Sequence, residues 1–429
     1  SINYEEFKMS KSINVPKLRF KEFSGEWKEK KFADIYDFFQ TNSFSRALLN
    51  YESGDVKNIH YGDIHTKFKS NFFINKEEVP FINTEIDISK IKDENYCQIK
   101  DLIIADASED YNDIGKAIEI IELNGEKLVA GLHTYIARDI KNKMALGFGG
   151  YFMQTHNIRL QMMKLATGIS VLGISKSNLS NISLVIPSKK EQEKIASFLI
   201  SIDTKIEQLI KKEQLLQQYK KSVMQKIFNQ EIRFKDDDGS EFCDWEEYTL
   251  NDFLIPALRE VEKPKENYLA IGVRSHCKGT FQKPDSEPDK IAMDRLYVLK
   301  ENDLIVNITF AWESAIAIVK KEDEGGLVSH RFPTYTFDEK ISNSKYFQYV
   351  IIQKRFRIML DLISPGGAGR NRVMSKKDFL TLKWELPCIE EQNKIANFLS
   401  LIDTKIEHVQ KQLESSKEFK KALLQQMLV

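Results

Sequence analysis

Apolar residues recur three and four positions apart over two long stretches of this chain. The first stripe runs Ile195, Leu199, Ile202, Ile206 and Leu209, then Leu216, Val223 and Ile227. The second runs Ile395, Leu399, Ile402, Ile406, Val409 and Leu413, then Leu423 and Met427. A 4-and-3 alternation predicts a helix whose stripe is a coiled-coil seam. Each stretch follows a proline, Pro187 or Pro387, that closes a short apolar run (182–186 or 380–386), so a strand leads into each helix. At about 1.5 Å per residue, roughly 40 residues make a rod of about 60 Å. The two stretches are near copies. EQEKIASFLISIDTKIE (191–207) and EQNKIANFLSLIDTKIE (391–407) differ at only four positions, 193/393, 197/397, 200/400 and 201/401. A lone seam needs a partner, and this chain supplies a second seam of the same kind.

The duplication reaches beyond the helices. PKLRF (16–20) and GEWKEKKFADI (25–35) have counterparts in EIRF (231–234) and DWEEYTLNDFL (244–254). Between these entrances and the helices lie mixed segments with short alternating runs. Strands are predicted at 57–61, 102–105 and 117–122, and again at 268–273, 303–308 and 315–319, separated by Gly-Asp, Asn-Gly and Gly-Gly turns. DLIIADAS (101–108) is echoed by DLIVNIT (303–309), GLHTY (131–135) by SHRFPTY (329–335), and Ser175-Lys176 by Ser375-Lys376. The loops between the echoes differ strongly, as in two readers built on one frame. The predicted class is α+β: two similar mixed α/β domains (1–186 and 231–386) separated by two long antiparallel helices (187–230 and 387–429) forming a coiled coil. By repeat symmetry the end of the second helix corresponds to the point just before PKLRF, which predicts a pseudo-twofold, circular organisation. Residues 1–14 are polar and predicted to fray.

Composition narrows the class. The 429 residues, 42% hydrophobic and 29% charged, suffice for two or three buried cores. Lys+Arg and Asp+Glu both total 63, which argues against an indiscriminate polycation and leaves local patches open. No apolar run approaches the roughly 18 residues of a membrane span, and SINYEEFKMSK lacks a signal core, so a cytoplasmic location is expected. Cys97, Cys243, Cys277 and Cys388 are isolated, without a CxxC pair or a histidine at finger spacing, and read as reduced thiols.

Two globular halves, each followed by a helix opening E-Q-x-K-I-A-x-F-L-x-x-I-D-x-K-I-E, resemble the specificity subunit of a type I restriction-modification system. IHYGDI (59–64) and FAWESA (310–315) add to the likeness. The resemblance implies a non-catalytic DNA-binding subunit whose two target recognition domains each read one half of a bipartite double-stranded target. It implies that the paired helices set the gap and dock two methyltransferase subunits. S-adenosylmethionine would belong to those methyltransferases. ATP and Mg would belong to restriction subunits, two of which the family allows; no cofactor is expected in this chain itself, and no membrane partner.

Candidate contacts follow from residue chemistry. SPGGAGRNRVMS (364–375) combines three glycines with Arg370, Asn371 and Arg372, donors suited to guanine or adenine edges or to phosphate; a solvated hairpin would look the same. Its positional counterpart ATGISVLGIS (166–175) has no arginine and reads as structural. VRSHCKGTFQK (273–283) offers Arg274, His276, Lys278 and Gln282, and SHRFPTY offers His330 and Arg331, whereas Trp312 is of a type more often found in cores. In the first half TNSFSR (41–46) offers Ser43 and Arg46. HYGDIHTKFK (60–69) offers His60, Tyr61, His65, Lys67 and Lys69 in a loop-like setting. His133 suits a contact or a satisfied buried histidine equally.

On the helices the repeated polar residues Gln192 and Gln392, Lys205 and Lys405, and Glu207 and Glu407 are candidates for partner docking. Asp203 and Asp403, and the pairs Lys220-Lys221 and Lys420-Lys421, recur as well. Two equal docking surfaces would retain such residues, and so would a recent duplication. Residues 187–235 carry eleven Lys/Arg against six Asp/Glu, a surplus that could face DNA, whereas 387–429 balances six against six.

Catalytic signatures are missing from the sequence: there is no GxxxxGK[ST], NPPY, DPPY or HExxH. FGG (148–150) resembles a cofactor-binding glycine run but lacks the strand-loop-helix setting, and PDSEPDK (284–290) reads as a loop rather than a nuclease carboxylate set. The alternatives are a coiled-coil scaffold that binds no DNA and a self-sufficient modification enzyme. Tight, salt-dependent binding to one bipartite duplex excludes the first, and methyl transfer by the purified chain alone would overturn the non-catalytic reading in favour of the second.

Overall fold

A computed structural model describes residues 14–366 and 372–428. The chain divides into two compact units, one made of 1–212 with 409–429 and the other of 213–408. The division cuts each long helix near its middle, because each unit holds the start of one helix and the end of the other. The helices run Lys189–Phe228 and Ile389–Met427.

The first unit is built on a five-stranded sheet ordered Asp37–Phe39, Thr134–Arg138, Leu102–Ala105, Ala117–Glu122 and Asn71–Phe73. Only the last neighbour is parallel. Leu102–Ala105 is buried along its whole length, as a central strand read from continuous apolar sequence should be. A four-stranded sheet, Lys127–Ala130, Val56–Ile59, Phe81–Ile82 and Leu49–Asn50, carries the loops. The second unit repeats the central pairing: Leu304–Val306, fully buried, lies between Thr334–Phe337 and Ile316–Ile318, with Leu254–Pro256 at the edge. In each unit the entrance strand pairs antiparallel with the strand leading into the long helix, Lys28–Lys31 with Ser183–Ile186 and Glu246–Thr249 with Lys383–Leu386.

The repeated sequence phrases converge on the first turn of each long helix. Glu191, almost fully buried, accepts from Arg19 Nε (2.7 Å), Arg19 Nη2 (2.8 Å) and Trp27 Nε1 (3.3 Å). Glu391 accepts from Arg233 Nε (3.2 Å), Arg233 Nη2 (2.7 Å) and Trp245 Nε1 (3.2 Å). Phe20 packs on Phe198 and Phe234 on Phe398 with centroids 5.7 and 5.6 Å apart. The arginine-phenylalanine and tryptophan entrances are therefore the sockets of the helix that opens E-Q.

The glutamines of that motif are not docking residues. Gln192 accepts from the Ala145 N–H (2.9 Å) and donates to Pro187 O (3.1 Å). Gln392 accepts from Ser342 Oγ (2.9 Å) and donates to Ile341 O (2.7 Å) and Pro387 O (2.9 Å). Both are 1% exposed or less, so no partner can reach them. Each satisfies backbone groups where helix meets globular domain, which an apolar residue could not do.

The helices pack antiparallel inside each unit. In the first, Ile195, Ala196 and Leu199 share a core with Leu423, Met427 and Leu428. In the second, Ile395, Ala396, Leu399, Ile402 and Ile406 share one with Val223 and Ile227. One polar triad recurs at both seams. Asp203 is held by Lys420 Nζ (2.6 Å) and by Tyr151 Oη (2.6 Å), and Lys420 lies 5.3 Å from the Tyr151 ring centre. Asp403 is held by Lys220 and by Tyr349 Oη (2.9 Å), with Lys220 5.2 Å from the Tyr349 ring centre. Circular connectivity is visible in the first unit, where the Leu18 N–H donates to Gln426 O (2.9 Å). The entrance of the first domain thus sits against the end of the second helix, as EIRF directly follows the end of the first.

Two local expectations are corrected. HYGDIHT is not a loop: Tyr61–Thr66 is a helix capped by His60, whose Nδ1 accepts the Gly62 N–H at 3.1 Å. The start of PDSEPDK is not a loop either, because Thr280–Ser286 is an edge strand, where Pro284 costs no ladder hydrogen bond.

Candidate nucleic-acid interface

In both units some of the candidate residues gather where the chain leaves the central strand. In the first unit the Asp106 N–H donates to His133 O (3.1 Å), five residues after Asp101. In the second the Ile308 N–H donates to Arg331 O (3.1 Å), five residues after Asp303. Sheet register therefore makes His133 the counterpart of Arg331 and Asp106 that of Ile308, two places away from the literal Thr-Tyr echo.

Around this crossing the first unit gathers aromatic and basic side chains. The Tyr61 ring centre lies 4.7 Å from that of His60, 5.8 Å from His65 and 5.4 Å from His133. His133, at φ +57°, sits 3.3 Å from Asp106 Oδ1 and is half exposed, which removes the reading of it as a buried core histidine. Arg46 grips buried Asp63 with two 2.8 Å hydrogen bonds and donates to Tyr51 Oη, which also takes Lys67 at 3.1 Å. Burial, assisted by the Arg46 guanidinium, pushes the His60 imidazole down, so it caps the helix as a neutral acceptor. His65 Nε2 meets Ala107 O at 3.0 Å. Ser43 is exposed in a separate cleft beside Lys90 and Lys92. Lys69 lies elsewhere: with Lys76 it holds Glu207 of the long helix at 2.7 and 2.8 Å. That ion pair ties exposed Lys69 and half-buried Glu207 together as a strut between domain and helix.

In the second unit the turn from Asn307 to Ser314 is the hub. Its Ile308 carbonyl accepts the Met374 N–H (2.9 Å), and its Glu313 accepts the His276 N–H at the carbonyl (2.7 Å) and Ser275 Oγ at the carboxylate (2.6 Å). His276, at φ +63°, is thereby fixed with its exposed side chain on the rim, while Arg274 lies 5.4 Å from the Phe281 ring centre and Lys278 is exposed. Gln282 donates to Glu322 O (2.7 Å) and Asp323 Oδ1 (3.2 Å), which pins it to a neighbouring turn. Arg331 is exposed. Arg372 is not a free reader: it donates to Ser364 O (3.0 Å), Asp361 O (2.9 Å) and Asp361 Oδ1 (2.5 Å), and lies 5.0 Å from the ring centre of half-buried Trp312. Arg370 and Asn371 lie outside the described residues. Of the helix candidates, Lys205, Lys405 and Glu407 are exposed.

Asp106, Tyr51 and Asp63 belong to this constellation and were not anticipated. Asp106 stands inside the DLIIADAS echo, where its replacement by Ile308 in the other copy was a readable signal. Tyr51 and Asp63 carried none.

The sequence profile of the type I restriction modification DNA specificity domain matches residues 24–218 and 244–415. The chain belongs to that family. Two specificity subunits of Methanocaldococcus jannaschii are similar along most of their length. The provisionally named MjaX type I restriction enzyme specificity subunit is 27% identical over 81% of this chain and 84% of its own. The MjaVIII type I restriction enzyme specificity subunit is 24% identical over 69% and 72%. The fold matches that of the type I restriction-modification S subunit from M. genitalium at a TM-score of 0.56 and 13% identity, covering 97% of this chain and 99% of that one. As a type I specificity subunit the chain is a DNA-recognition protein, and its duplicated halves are its recognition domains. No described helix is long and apolar enough to cross a membrane.

Proposed function

We propose that each recognition domain reads one half of a bipartite duplex, and that the paired helices set the gap between halves and dock two methyltransferase subunits. Those partners would methylate adenine with S-adenosylmethionine. Restriction subunits using ATP and Mg would add cleavage to the same core. The carrying observation is the crossing after the central strand, where one scaffold presents His133 with Asp106 in one domain and Arg331 with Ile308 in the other. Equivalent positions with different donor and acceptor patterns suit unlike half-sites. The exposed Lys205, Lys405 and Glu407 remain the helix residues suited to partner docking. Single-molecule methylation sequencing of DNA from cells carrying this chain with its methyltransferase partner tests the reading. The expected result is one asymmetric motif of two short blocks separated by a fixed gap; an undivided motif, or none, would overturn it.

A further inference from the structure

The second recognition domain holds an apolar pocket of about 280 Å³ that its duplicate fills with its own side chains. Register gives the correspondence. His133 and Arg331 are counterparts, so Ala137 corresponds to Tyr335, and their strand partners Phe38 and Pro256 correspond likewise. Tyr135 then corresponds to Pro333, and Lys176 to Lys376 at the same Ser-capped turn. In the first domain Phe38 and Tyr135 pack edge to face, 5.7 Å between centroids, beneath Lys176, which lies 5.8 and 5.3 Å from the two ring centres. In the second domain both rings are replaced by proline, and the space between Leu258, Tyr297, Phe332 and Tyr335 stands open under Lys376 and Lys377.

The pocket has a chemical character beyond its shape. Tyr335 is 2% exposed, and its hydroxyl has no hydrogen-bond partner among the described residues. That hydroxyl is not sealed from solvent, so a ligand's edge group can take the place of water on it. The walls are aromatic and aliphatic, Leu258 forms an 80% exposed apolar lip, and the two lysines at the rim are exposed. A flat ring with an edge hydrogen-bonding group would seat between the aromatic walls and meet the phenol. An anionic group attached to it would reach the lysines. The volume lies just below the usual range for small-ligand sites of roughly 300 to 1,000 Å³, which suits one ring system rather than a larger body.

We propose that this pocket binds a single nucleotide, the base between Tyr297, Phe332 and Tyr335 and the phosphate on Lys376 and Lys377. The assignment rests on the reading of this domain as a DNA reader, because Arg331 of the proposed crossing adjoins His330 and Phe332 of the pocket. Base stacking on aromatic side chains tolerates any base, so the site would add affinity more than sequence information. The nucleotide could be free or could belong to an unstacked position of the bound strand.

The full chain in complex with its methyltransferase partners is titrated calorimetrically with 5′-dAMP, 5′-TMP and inorganic phosphate. In parallel, duplexes carrying the methylation-defined site, with 2-aminopurine replacing single adenines, are followed by fluorescence. Two variants accompany the wild type. P256F/P333Y grafts the first domain's rings into the pocket, and K376A/K377A strips the rim on an exposed surface where folding is not at stake. Either mononucleotide binding absent for phosphate alone, or a 2-aminopurine signal, supports the site, provided P256F/P333Y abolishes it and K376A/K377A weakens it roughly tenfold. The first signal identifies a free nucleotide, the second a strand nucleotide. Phosphate binding equal to that of nucleotide, or neither signal in a complex that binds its duplex specifically, overturns the pocket while leaving DNA reading intact. Absence of specific duplex binding instead overturns the proposed function.

Discussion

Glu119 shows how one carboxylate can make a recognition domain sensitive to pH. It lies on a central strand with 2% exposure and accepts the N–H groups of Gly147 (2.7 Å) and Gly150 (2.8 Å), so the FGG stretch caps a structural carboxylate rather than a cofactor. Desolvation outweighs those hydrogen bonds and raises its pKa to about 7. A folded-state value above the unfolded one means the native state binds the extra proton. Its contribution to stability is complete below about pH 4.5 and is lost as pH rises to about 7. Chemical denaturation of the wild type between pH 5 and 7.5 should lose on the order of 3 kcal/mol more than Glu119→Gln does over the same range. Parallel pH dependences for the two proteins would refute this. Arg331 makes the matching prediction for function. Arg331→Ala should weaken duplex binding by about 1 to 3 kcal/mol if the guanidinium reads a base, and should relax methylation at one position of one half-site only. A uniform loss across all sequences would instead make it a phosphate contact.

At the scale of elements, the recurring Tyr-Asp-Lys triads explain why polar residues of the helices repeat so faithfully. Lys220 and Lys420 are half-buried, each ammonium group lying over a tyrosine ring and paired with an aspartate, and each joins the end of one helix to the start of the other. Lys220→Ala should destabilise the second unit by about 1 kcal/mol. Exchanging the charges in Lys220→Asp/Asp403→Lys should recover part of that loss, whereas Lys220→Asp alone should cost more than the alanine. Thermal unfolding of the three variants measures it, and a charge exchange no better than Lys220→Asp alone would remove the ion pair from the account. The helices and central strands were legible because their apolar periods are long and their copies agree: Leu102–Ala105 and Tyr268–Val273 lie where alternation and burial place them. Gln192 and Gln392 were misread for a physical reason. A helix seam reveals which face packs on another helix, but not that the loops around Ala145 and Ile341 close over the first turn. Lys69 and Gln282 are donors of the right chemistry whose acceptors come from segments distant in sequence, and Arg372 folds back onto the end of the helix just before its own loop. Composition cannot reveal that these partners are already engaged within the fold.

For the whole molecule, the division of both helices between the units makes helix length a shared variable. Each triad lies within one unit, on either side of the stretch around Leu209 and Val409, so residues can be added there without disturbing either clamp. Seven residues after Leu209, matched by seven after Val409, preserve the heptad seam. They lengthen the rod by about 10 Å, roughly three base-pair steps of duplex at about 3.4 Å each. If the paired helices act as the spacer, methylation mapping of the insertion variant should return the same two half-sites with a gap longer by about three base pairs. A five-residue insertion, which rotates the seam out of register, should instead lower stability and abolish methylation. Unchanged spacing in the seven-residue variant would show that the gap is set by the domains and not by the helices. Altered half-sites would show that the helices reach into the reading itself.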